Sequence, residues 1–323
     1  MLFTVAKFVA VSLCITGLIA LGLIASQKPA EITGSEGLDF TDAILQDLSA
    51  LPDPSMVTMR DGTDLAVRRY GDAGPLVVMV HGSGWNGMQF HSLATALGAQ
   101  AQVLVPDLRG HGANPERRGD VDYIGQFEDD LADLIAATKA QDQRVMLLGH
   151  SSGGGLVVRF AGGTHGSMID HAVLLAPFLK HNAPTTRKNA GGWSHVLMRR
   201  IIGLSMLNTF GITALNHLTI IQFNMPRVVL DGPLGHTATT SYSYRLNTGF
   251  APRGAYADDI AALPAFELIV GADDEAMVAD AYEPLMAGMT GKGRYRVLPD
   301  VGHLGVVDAP ETLTAIQESL SDL

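Results

Sequence analysis

The chain has 323 residues, enough for about two domains of ordinary size. Its 33 acidic and 22 basic residues leave a formal net charge of −11, which excludes the basic footprint of a general nucleic-acid binder. Charged residues make up 17% and apolar residues 47%, a balance that excludes intrinsic disorder, and the one cysteine excludes an intramolecular disulfide or a cysteine-built zinc site.

Residues 8–26, FVAVSLCITGLIALGLIAS, carry no charge. As a helix they reach about 28 Å, close to the roughly 30 Å hydrocarbon core of a bilayer. The run is longer than the apolar region of a cleaved signal peptide, and the small-x-small triplet Ala20-Leu21-Gly22 lies inside it. Leu13 before Cys14 is too large for a lipoprotein signal. Residues 1–26 are therefore expected to be a single-pass transmembrane anchor. A cleaved signal peptide and a buried helix are the competing readings. Lys7 and the amino terminus place the start of the chain in the cytoplasm and the rest on the extracytoplasmic side. Residues 27–55, broken by Pro29, Gly34, Gly37, Pro52 and Pro54, read as a linker with one short helix over 39–50.

Residues 56–70, MVTMRDGTDLAVRRY, hold two strand-like runs around Asp61-Gly62, a hairpin signal in which both turn residues take φ > 0. Short apolar runs come next at 75–80, 101–106, 144–149, 171–176, 265–270 and 294–298. Helix-like stretches separate several of them. The clearest is 123–140, with Ile124, Phe127, Leu131, Leu134 and Ile135 on one face, and 309–323 closes the chain as another. Buried strands alternating with helices predict an α/β fold with a mostly parallel, doubly wound sheet. Ligands of such sheets bind at the carboxyl ends of strands.

The residues just past each run are therefore informative. After 75–80 comes His81-Gly82-Ser83-Gly84, and after 101–106 comes Asp107-Leu108-Arg109-Gly110-His111-Gly112. After 144–149 comes His150-Ser151-Ser152-Gly153-Gly154-Gly155. The last two runs lead into Gly271-Ala272-Asp273-Asp274-Glu275 and Pro299-Asp300-Val301-Gly302-His303. Gly149-His150-Ser151-Ser152-Gly153 matches G-x-S-x-G between a buried strand and a helix-like stretch, the setting of a nucleophile elbow.

Together, the RDG hairpin, HGSG, DLRGHG, GHSSGG, GADD and VGH resemble the α/β-hydrolase family over residues 56–323, in the lysophospholipase and monoacylglycerol-lipase-like branch. The resemblance implies Ser151 as nucleophile, His303 as its base, and the backbone N–H groups of Ser83 and Ser152 as an oxyanion hole. The family pattern Gly-x-x-Asp selects Asp274 as the acid, with Asp273 as its neighbouring alternative. Asp107 and Arg109 are expected to be structural, as are His81 and His150, for which a pocket-lining place is the alternative. Asn114 stands where the family often has Ser.

Some 90 residues separate the runs at 171–176 and 265–270, far more than a crossover needs, which predicts an inserted cap over 177–260. Its stretch 196–223 is apolar with sparse charge, suited to an acyl pocket, to a bilayer surface, or to packing on the core. Trp85 and Phe90, beside the HGSG turn, are candidate substrate-binding walls, with packing in the core as the alternative. No metal or organic cofactor is expected. The partners implied are a small-molecule ester, lipid-derived esters among them, and a membrane. The sequence leaves the oligomeric state open. The same triad would serve a thioesterase, an amidase or a cofactor-free perhydrolase. A non-catalytic binding protein on the same fold is the alternative outside enzymes.

Overall fold

The computed structural model describes residues 2–32, 37–41 and 46–323. The short helix expected over 39–50 falls in part on 42–45, outside the described residues.

Eleven strands are formed among the described residues. The hairpin strands are β1 (Ser55–Thr58) and β2 (Asp64–Tyr70). The buried runs become β3 (Leu76–Val80), β4 (Gln102–Pro106), β5 (Val145–His150) and β6 (His171–Leu175). Three short strands come after them, β7 (Ser194–Val196), β8 (Thr219–Phe223) and β9 (Ser241–Ser243). The chain then returns through β10 (Ala265–Gly271) and β11 (Gly293–Leu298).

The main sheet has eight strands in the order β1-β2-β4-β3-β5-β6-β10-β11. Its first two pairings are antiparallel and the rest are parallel. Every residue of β3, β5 and β6 is buried, as strands covered on both faces must be. Each large aliphatic side chain buried there stabilises the fold by about 1.5–3 kcal/mol. Helices Gln126–Thr138, Ser152–Ala161 and Tyr256–Ala262 pack together, and His91–Leu97 packs with Pro310–Ser321. These two groups are what a doubly wound sheet requires. Val80 pairs with Gly149 and His150 with Leu175, so the loops leaving the central strands emerge side by side.

The hairpin differs from its expected form. Only Gly62 takes a positive φ, of 84°. Met59 and Thr63 close a wider turn (2.8 Å), in which the Asp61 carboxylate accepts the Thr63 N–H at 3.0 Å. That is a turn capped by one left-handed glycine, which leaves Asp61 in an ordinary conformation and free to pair with Arg109 at 3.0 Å.

Between β6 and β10 the chain builds β7, β8 and β9 into a separate antiparallel sheet, accompanied by the helix Met198–Asn208. The N-terminal helix, Leu2–Ala25, is 24 residues long. Its first half is exposed, with Phe3 and Phe8 more than 70% accessible. Its second half lies along Met198–Asn208. Ala20 and Ile24 cluster with Leu204, Leu207, Ile220 and Tyr244. A Cβ on Gly203 would come within 2.5 Å of the Ala20 carbonyl oxygen, so these two backbones meet closely. Arg199 and Arg200 bond Gln27 just past the helix end, which makes the pair antiparallel.

Candidate active site

β5 ends at His150, and Ser152–Ala161 starts a helix at once, leaving Ser151 alone to turn the chain. Its backbone sits at φ 54° and ψ −121°, a conformation costly for any residue with a side chain. The turn closes only because its flanks are glycine. A Cβ on Gly149 would lie 2.3 Å from the Gly153 carbonyl oxygen, and one on Gly153 would lie 2.1 Å from that of Val80. The strain lifts the Ser151 hydroxyl above the sheet at a helix N-terminus, where unpaired N–H groups and the helix dipole concentrate positive charge.

Ser151 Oγ lies 2.9 Å from His303 Nε2, and His303 Nδ1 lies 2.8 Å from Asp274 Oδ2. The three residues come just after β5, β11 and β10 and meet across the top of the sheet. The carboxylate fixes the tautomer: Nδ1–H donates to Asp274, and Nε2 is left to accept the serine proton. Asp274 and His303 are each about 1% exposed. Asp274 Oδ1 accepts the backbone N–H groups of Ala276 (2.8 Å) and Met277 (2.6 Å). Burial pushes the Asp274 carboxyl up, but His303 and the two N–H donors outweigh it, and the net effect lies below the ordinary carboxylate value. Asp273 is exposed, and its N–H goes to the Val301 carbonyl at 3.1 Å.

The HGSG loop passes directly over the serine. A Cβ on Gly82 would lie 3.2 Å from Ser151 Cβ. The Ser83 and Ser152 hydroxyls are 2.9 Å apart, which ties the two loops together. Three buried histidines hold this frame. His81 Nδ1–H donates to the Gly82 carbonyl (2.8 Å), and its Nε2 accepts the Leu108 N–H (3.1 Å). His150 Nε2–H donates to the His303 carbonyl (2.9 Å). Burial, then the neighbouring His303, pushes the His150 imidazole down to about 3. His111 Nδ1–H donates to the Arg109 carbonyl at 3.0 Å, and its Nε2 accepts the Tyr242 hydroxyl at 2.7 Å. The Tyr242 oxygen in turn accepts the Gly84 N–H at 2.7 Å. Asp107 accepts the Gly87 N–H at 2.8 Å, and Arg109 pairs with the buried Asp130 at 2.7 Å, so both serve the loop framework.

Sequence reasoning missed Tyr242, which reaches the site from the cap, and Glu275, whose carboxylate accepts the His303 N–H at 2.7 Å. Trp85 lines the cleft above Ser151 with Trp193, Leu38 and Phe40. Phe90, expected as a second wall, lies elsewhere. The short turn Gly87–Phe90 directs it into the core, where it is fully buried.

The profile of the alpha/beta hydrolase family matches residues 77–316. A monoglyceride lipase of Saccharomyces cerevisiae, solved as a soluble variant with a substrate analog, superposes with a TM-score of 0.63 at 16% identity over 84% of this chain and 95% of that one. A membrane phospholipase A described as a bacterial virulence factor superposes with a TM-score of 0.59 at 17% identity over 99% of this chain and 97% of that one. An uncharacterised protein of Mycobacterium bovis is 31% identical over 93 residues, which is 29% of this chain. The match spans about a quarter (26%) of that relative's length. With the family profile covering most of its length and the mostly parallel sheet beneath the site, the chain belongs to the alpha/beta hydrolase family.

Proposed function

We propose that the protein is a membrane-anchored serine hydrolase that cleaves carboxylic esters, lipid-derived ones among them, through an acyl-enzyme on Ser151. The observation that carries this reading is the unbroken chain Ser151–His303–Asp274, with spacings of 2.9 and 2.8 Å. A serine hydroxyl is inert until a base takes its proton. His303 Nε2 takes it as Oγ attacks the ester carbonyl, and Asp274 supports the imidazolium that forms. The oxyanion is received by the N–H groups of Ser83 and Ser152, each such donor worth about 2.7–4 kcal/mol in the transition state. Gly84 cannot share that role, because its N–H is held by Tyr242. The protonated His303 then hands its proton to the leaving alcohol. Water attacks the acyl-enzyme with His303 again as base, and the acid departs.

The membrane reading is supported by the N-terminal helix. Phe3–Ala25 is long and apolar enough to span a bilayer, and most of its exposed side chains are apolar, Phe3, Phe8 and Leu18 above all. Its close packing on the cap at Gly203 favours an uncleaved anchor over a removed signal peptide, since cleavage would bare Leu204, Leu207 and Ile220. Met198, Ile202, Phe210 and Ile212 extend the exposed apolar surface along the cap beside it. Asn208 and Asn216 satisfy each other there at 2.7 and 2.9 Å, as polar groups near hydrocarbon must. The likeness to a membrane phospholipase A along 99% of this chain is in keeping with this. Lys7 at the start of the anchor favours the catalytic domain on the extracytoplasmic side.

Turnover of p-nitrophenyl esters by the full chain tests the reaction. Ser151→Ala is expected to lower kcat by on the order of 10⁵-fold or more, the scale seen when such a nucleophile is removed. Equal rates in the two proteins would refute the assignment.

A further inference from the structure

The linker between the N-terminal helix and β1 does not run clear of the site. Phe40 is 4% exposed, with its ring edge-on to Trp85 at 5.9 Å and tilted against Trp193 at 5.6 Å. Leu38, Phe40, Trp85 and Trp193 line one cleft with Ser151 and His303. With the ring in place the free space is about 40 Å³, room for a few water molecules.

Two described residues of the segment, Ala30 and Asp39, are bonded to other parts of the fold. Ala30 is held through both its N–H and its carbonyl by the Gln222 side chain of β8, at 2.8 and 2.7 Å. The Asp39 N–H reaches Glu275 Oε1 at 3.3 Å, while the other oxygen of that carboxylate holds the His303 N–H. One carboxylate thus joins the linker to the loop carrying the catalytic base. An apolar ring seated between two tryptophans beside a reacting serine takes the place that the apolar part of a substrate would take.

We propose that Phe40 sets the acyl-length limit of the Ser151 site: short acyl groups fit beside its ring, and a fatty acyl chain reaches Ser151 only by displacing it. The proposal rests on the ester-hydrolase reading for its kinetic consequence and on the cleft alone for its binding consequence.

The test uses the full chain in lipid nanodiscs and its Phe40→Ala and Phe40→Leu variants. kcat/KM is measured on p-nitrophenyl acetate and p-nitrophenyl octanoate. In Phe40→Ala the octanoate-to-acetate ratio is expected to rise at least tenfold over wild type, with Phe40→Leu between the two. The chain has two tryptophans in all, and both touch Phe40. Octanoate binding is therefore read from intrinsic fluorescence with no need for turnover, and Phe40→Ala is expected to bind octanoate at least fivefold more tightly. An unchanged ratio together with unchanged octanoate affinity in the folded variants would overturn the proposal. Tighter binding without turnover in any of the proteins would uphold Phe40 as the limit while removing the hydrolase reading.

Discussion

The Tyr242 hydroxyl oxygen, carried by the cap, lies 2.7 Å from the backbone nitrogen of Gly84, one residue beyond the Ser83 N–H. The cap thereby holds the loop proposed to receive the oxyanion, and His111 holds the tyrosine in turn. Tyr242→Phe keeps the ring, which packs against Phe223 and Phe250, and removes only the oxygen. It leaves the Gly84 N–H buried without a partner, at a cost of about 1–3 kcal/mol. We expect kcat to fall about tenfold with KM within twofold of wild type, as read by steady-state ester hydrolysis. A rise in KM at constant kcat would mean that Tyr242 shapes the binding cleft and not the oxyanion loop.

Acid lability is expected from the buried histidines. Burial depresses the His81, His111 and His150 imidazoles below the ordinary value of 6.5. Above pH 6.5 neither the folded nor the unfolded chain protonates them, and they are neutral to stability. As the pH falls through 6.5 the unfolded chain takes up protons that the folded chain refuses, so stability is lost. For His150, held near 3, the loss is about 2 kcal/mol at pH 5, and the other two act in the same direction. Thermal unfolding monitored by circular dichroism is expected to show the midpoint dropping by on the order of 5 °C between pH 7.5 and pH 5. A flat or rising midpoint over that window would contradict the neutral, buried state of these rings.

Gly203 is where the cap helix meets the N-terminal helix, with no space for a side chain against the Ala20 carbonyl. Gly203→Ala and Gly203→Leu are expected to lower the thermal midpoint in detergent in graded fashion, the leucine by the 1–3 kcal/mol typical of overpacking. Equal midpoints for all three proteins would show that the two helices do not pair in the native protein.

The juxtaposition of Ser151, Asp274 and His303 at the strand ends was legible because each motif is local. GHSSGG, GADD and VGH carry their own strand, turn and reactive group within about ten residues. The choice of Asp274 over Asp273, made on a family pattern, corresponds to a buried carboxylate against an exposed one. The features that escaped the sequence act over distance. Tyr242 is 158 residues from Gly84, and Phe40 reaches the cleft from a segment whose composition says only linker. The cap sheet escaped because its strands are three to five residues long, too short to show a period. Phe90 takes its core-packing reading and not the wall, a choice that closeness to the HGSG turn in sequence could not make because it says nothing of direction. The Asn86 side chain caps the next turn by accepting the Met88 N–H at 3.0 Å, and that turn sends Phe90 inward.

An activated serine at position 151 is tested most directly by covalent labelling of the full chain with a fluorophosphonate probe, in detergent or lipid, beside its Ser151→Ala variant. Stoichiometric labelling of the wild-type protein on Ser151 and none of the variant is the expected result. Equal labelling of both proteins, or none of a folded wild-type protein with lipid present, would contradict it.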